Sequence, residues 1–153
     1  MSIETKNPAI ASYKFKTHAN ADARKRSAIN LVKTLLQKDL DILAEHRKEC
    51  LTIALWKLTE AEAQHKHRTR FCSENARHAQ GKELRHDHVF QRANMIRRLL
   101  ASQPDEVEAI LGEAVACTIT RKEHRLLNQY KHLDGWERYS RANIAYIENE
   151  ESQ

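Results

Sequence analysis

The chain has 153 residues with only 3 Gly and 2 Pro, 41% hydrophobic and 31% charged residues, and a formal net charge of +5. So few chain breakers exclude a turn-rich sandwich or barrel and a Gly-rich phosphate-cradling loop, and the length suits one domain with a real core. There is no apolar run of about 18 residues or more, so no membrane span is expected. The opening residues lack an apolar block behind their charges, and Cys50, Cys72 and Cys117 are too scattered for a disulfide framework. An intracellular, cytoplasmic protein is expected.

Residues 1–20 show no periodicity and are expected to be loose. From 21 to 58 the pattern is helical, with Ala28, Val32, Leu35, Leu36, Leu40, Leu43, Cys50, Leu51, Ala54 and Leu55 recurring at spacings of three and four. A single helix of that length would reach about 55 Å, so it either breaks near 44–47, folds as a hairpin, or packs against a second copy as a homodimer. Thr59 followed by Glu62 has capping-box spacing, which predicts a new helix after Leu58. Residues 21–80 together read as a helical scaffold.

A different pattern begins near Gly81. Residues 84–90 predict a strand end or an extended loop, and 94–101 a helix. Pro104-Asp105 opens a short helix that Gly112 ends. Residues 113–119, with Val115, Thr118 and Ile119, predict a strand. Thr120 then caps a helix, with Glu123 at the capping-box position. Asp134-Gly135 marks a turn, 144–147 an edge strand and 149–153 a tail. The expected fold class is mainly α with a small β component, the long helices coming first.

Charge is unevenly spread: residues 1–63 carry +3, residues 64–100 carry +6 and residues 101–153 carry −4. The middle segment also holds His65, His67, His78, His86 and His88. A basic, imidazole-rich stretch favours a phosphate backbone, because Lys and Arg release condensed counterions on binding. His65 and His67 lie two apart and read first as surface residues, then as phosphate contacts. Trp136, Tyr139 and Tyr146 read as core aromatics before base-stacking ones. No GxSxG, P-loop, HExxH or GxGxxG motif is present.

Two segments bear on chemistry: His86-Asp87-His88-Val89 ending an extended element, and Thr120-Arg121-Lys122-Glu123-His124 where a strand runs into a helix. A carboxylate and imidazoles delivered from two elements suit phosphodiester hydrolysis, in which a metal stabilises charge and a free neutral histidine takes a proton from water. In their order, the extended Asp-His-Val segment, the strand and the helix bearing Glu-His resemble the ββα-metal core of HNH-type endonucleases, over residues 84–130. The resemblance implies Asp87 and His124 as ligands of a divalent metal ion, Mg²⁺ or Zn²⁺, with His88 as general base. His86 becomes the ligand if the register shifts by one. Arg85, Arg92 and Arg121 are the expected phosphate clamps, and Asn128 lies one turn beyond His124 as a helper. Residues 81–148 would form this core, with a helical insertion between its motifs.

The function expected from the resemblance is metal-dependent cleavage of nucleic acid, DNA before RNA. The alternative, favoured by Phe90-Gln91 where the family has Pro and by the inserted helices, is an inactive form of the core. Such a protein would bind nucleic acid or another protein, for example as a phage or mobile-element inhibitor of a host nuclease.

Overall fold

The structure, a computed structural model, describes residues 13–151. It is mainly α with one small sheet. Helices α1 (Ala21–Leu35) and α2 (Ala44–Glu60) form an antiparallel hairpin. Arg47 at the start of α2 donates to the carbonyls of Leu35, Gln37 (3.0 Å) and Leu40 (3.2 Å), which satisfies the end of α1 and its loop. At the other end Arg24 reaches the Glu60 carbonyl at 3.4 Å. The break therefore falls at residues 36–43, earlier than 44–47. Leu43, read as part of the apolar stripe, is 59% exposed, and Cys50 is exposed as well.

The strands are β1 (Phe71–Ser73), β2 (Leu84–His88), β3 (Ala116–Thr120) and β4 (Tyr146–Glu148), in the order β2-β3-β1-β4. β3 pairs antiparallel with β2 and parallel with β1, and β4 closes the edge antiparallel to β1. Between β2 and β3 lie α3 (Arg92–Ala101) and α4 (Val107–Leu111). Their Met95, Ile96, Leu99, Val107 and Leu111 bury against Val32, Leu51 and Leu55 of α1 and α2. The insertion therefore completes the helical core and leaves the two strands free to pair. Ala28, Val32, Leu51, Ala54 and Leu55 of the stripe are thus buried within one chain.

After β3 come α5 (Arg121–Leu127) and α6 (Trp136–Arg141). The capping box at α5 is complete: Glu123 N–H donates to Thr120 Oγ1 at 3.1 Å and Thr120 N–H to Glu123 Oε1 at 2.9 Å. Cys117 and Ile119 point from β3 into a core with Val89, Leu127, Tyr139 and Ile144. Thr118 points the other way, to Thr69 Oγ1 at 2.7 Å and the Tyr13 hydroxyl at 3.1 Å. Residues 13–17, expected to be loose, are instead docked. Phe15 is 1% exposed and bridges Glu151, while Thr17 bridges Ala63. The rest of 1–20 up to residue 12 lies outside the described residues. Among the described residues, no helix is long and apolar enough to cross a membrane.

Gly135 sits at φ +64° just before α6, and a Cβ there would meet Phe90 Cε1 at 2.8 Å. The turn thus needs glycine twice, for its backbone and for the ring beside it. Gly135→Ala is expected to destabilise the fold by about 1–3 kcal/mol in urea unfolding. An unchanged midpoint would contradict this packing of α6.

Candidate nucleic-acid interface

Strand geometry decides where the sequence-predicted residues point, because successive side chains alternate between faces. Asp87 faces α5 and α6. His86 and His88 face α2. The three residues adjacent in sequence are therefore split across the sheet.

Asp87 is 7% exposed. Its Oδ2 accepts from Arg138 Nη2 at 3.0 Å and from the Tyr139 hydroxyl at 2.5 Å, both delivered by α6. The same Arg138 nitrogen lies 2.7 Å from the His88 carbonyl and 2.8 Å from that of Val89, so it also holds the end of β2. Burial pushes the Asp87 carboxyl above its ordinary range, while the Arg138 charge and the bond from Tyr139 pull it back. Burial keeps the Tyr139 phenol protonated as the donor. His124, half-buried on α5, is near enough to act on the Asp87 charge.

On the opposite face both imidazoles converge on one hydroxyl. Thr59 Oγ1 lies 3.0 Å from His86 Nε2 and 2.9 Å from His88 Nε2. A hydroxyl gives only one proton, and that of Thr59 goes to the Trp56 carbonyl at 3.1 Å, so Nε2–H of both neutral imidazoles donates to Thr59 Oγ1. His88 Nε2 thus carries a proton and spends it on Thr59. Trp56 closes the group, its ring 4.8 Å from that of His86 and 5.2 Å from that of His88. Burial, with neighbouring cationic groups, lowers His86 to about 4 and His88 to about 3.

This arrangement does not fit the metal centre that the resemblance implies. The Asp87 carboxylate is held by a guanidinium, and His88 points away from it. Among the described residues no group of three His, Cys, Asp or Glu side chains could hold a metal ion. Of the expected phosphate clamps, Arg92 lies with its guanidinium 5.1 Å over the Trp56 ring. Arg85 turns back to the Lys82 and Leu84 carbonyls at 3.0 and 2.7 Å. Arg121 and Asn128 are exposed at the two ends of α5, away from Trp56.

Two hollows adjoin the Trp56–Arg92 contact. One, of about 660 Å³, is lined by Lys48, Arg92 and Arg97 with Gln91, Ile96 and Leu100, and no carboxylate borders it. The other, of about 240 Å³, is bordered by Arg24, Trp56, His65, Lys66, His67 and His86 among others. Glu60 is its one carboxylate, and it is occupied: Oε2 accepts from Trp56 Nε1 and Oε1 pairs with Lys57, each at 3.0 Å.

Sequence reasoning missed Trp56 and Thr59, because the apparent capping box at Thr59 lies inside the last turn of α2. There the hydroxyl bonds the Trp56 carbonyl at 3.1 Å and serves the histidines instead of starting a helix. It also missed Arg138, for which nothing in the local pattern signals burial.

His86 and His88 are ordinary imidazoles near 6.5 in the unfolded chain but protonate only at lower pH when folded. The unfolded state therefore binds more protons below about pH 6.5, and stability falls as pH drops towards 4. Between about pH 7 and about pH 5 the wild type should lose about 2 kcal/mol more than His88→Gln in urea unfolding. Equal losses would show that His88 is not buried neutral. No family model, no curated protein and no solved structure matches this chain.

Proposed function

We propose that the protein binds the phosphate backbone of nucleic acid along the cationic band running from Lys66 and Arg24 past Trp56 to Arg92, Lys48 and Arg97, without metal-dependent cleavage. The observation that carries this reading is uncompensated charge. Among the described residues none of these five cations is in an ion pair with a carboxylate, and the one carboxylate bordering the band is turned to Trp56 and Lys57. Cations left unpaired around an aromatic ring match a polyanion that carries both charge and stacking faces. The internal use of Asp87 by Arg138 supports the non-catalytic side of the proposal, since a metal-binding carboxylate must be free of a competing fixed cation.

A second reading, phosphodiester hydrolysis with His88 as general base, is favoured by one observation. The antiparallel pair β2–β3 runs directly into α5, and Asp87 faces that helix and lies near His124. It requires Asp87 to leave Arg138 and His88 to leave Thr59.

Binding of a duplex DNA is expected to weaken with salt, with a log–log slope of roughly −3 to −5, close to one per cation engaged. The double variant Lys48→Ala/Arg97→Ala should flatten that slope by about 2 units. A salt-independent affinity, or a variant with the wild-type slope, would overturn the band. Plasmid incubated with Mg²⁺, Mn²⁺ or Zn²⁺ should remain supercoiled. Nicking that His88→Ala abolishes would establish the hydrolytic reading instead.

A further inference from the structure

The smaller hollow differs from the rest of the band in what it offers. At about 240 Å³ it has the space of roughly eight water molecules, enough for one phosphate group with part of its sugar. Its walls come from four places: the start of α1, the last turn of α2, the loop at 63–69, and β2. Two fixed cations border it. Arg24 makes one long contact, 3.4 Å to the Glu60 carbonyl, and Lys66 is exposed and in no ion pair among the described residues.

Imidazole donors complete the lining. His18 Nδ1 accepts from the Asn20 backbone N–H at 2.9 Å, so in the neutral ring the proton sits on Nε2 as a donor. His67 is held at φ +57°, a left-handed backbone that a bulky side chain adopts only at a cost. Its Nδ1 is buried with no hydrogen-bond partner in the protein. That atom is shielded even from water, so His67 shapes the wall of the hollow and does not meet a ligand through Nδ1.

We propose that this hollow is a phosphate-monoester site, which takes a group bearing close to two negative charges at neutral pH against Arg24 and Lys66. A phosphodiester within a strand carries only one charge per phosphate, so two fixed cations around one small hollow match the monoester better. Placing that group at the end of a nucleic-acid strand rests on the polyanion-binding reading above; the site itself does not.

The test compares short single strands carrying a 5′-phosphate, a 3′-phosphate or neither, with Trp fluorescence as readout because Trp56 borders the hollow. One terminal phosphate is expected to tighten binding about tenfold, and Lys66→Gln and Arg24→Gln should each collapse that ratio towards one. Lys48→Gln should weaken all strands alike and keep the ratio. Strands that bind equally well with and without a terminal phosphate would overturn the monoester site and leave the band intact. If no strand binds, the band falls, and thymidine 5′-monophosphate against thymidine decides the hollow: a tenfold preference sustains it and equal binding ends it. Inorganic phosphate that competes as well as the phosphorylated strand supports the site, with the free anion as its ligand.

Discussion

A buried charge pair fixes the part of the molecule on which the rest turns. Asp87 and Arg138 lie 51 residues apart in sequence and meet in a site where each is almost fully shielded from water. Taking two such charges out of water costs several kcal/mol per ion unless the geometry is good and the remaining valences are met. Here the Tyr139 hydroxyl serves the acid and two β2-end carbonyls serve Arg138 Nη2, while Arg138 Nε is buried without a hydrogen-bond partner, which adds to the cost of the pair. Breaking either partner would leave an isolated buried charge, so the end of β2 can hardly sit elsewhere. Phe90 then lies against Gly135, and the turn into α6 requires a residue without a Cβ.

This constraint also decides which chemistry the sheet can present. With Asp87 turned inward, alternation sends His86 and His88 towards α2, where Thr59 and Trp56 take them up. Two imidazoles held neutral around one hydroxyl form a rigid floor beneath Trp56, with Arg92 over its ring. The polar cluster thus works as support for a cationic surface. Charge that the sequence concentrates between residues 64 and 100 is joined in space by Arg24 and Lys48 from the helical hairpin, so the band belongs to both halves of the molecule.

Much of the fold was legible because local signals and tertiary packing agree. The Thr120–Glu123 box, the Gly112 stop and the Asp134-Gly135 turn each act within a few residues, and each stands where expected. The apolar spacing of 92–101 and 107–111 likewise marks helices that bury one face. β1 was not legible: three residues, Phe71–Ser73, hold their place through pairing with β3 and β4, far away in sequence. Docking of Phe15 was hidden for the same reason. Thr59 misled because a capping box is a spacing, and spacing alone does not say whether the helix before it has ended. The site was legible as a list of residue types, Asp87, His88 and His124, but not as a geometry. Strand alternation separates the first two, and Arg138, distant in the chain, claims the carboxylate.

The most direct test of this account is a double-mutant cycle on Asp87→Asn and Arg138→Met, read by urea unfolding with a chelator and again with Mg²⁺, Mn²⁺ or Zn²⁺. The account predicts a coupling of about 2 kcal/mol or more that is the same in every buffer. Negligible coupling, with the wild type but not Asp87→Asn stabilised by a divalent ion, would show that the carboxylate serves a metal and would contradict it.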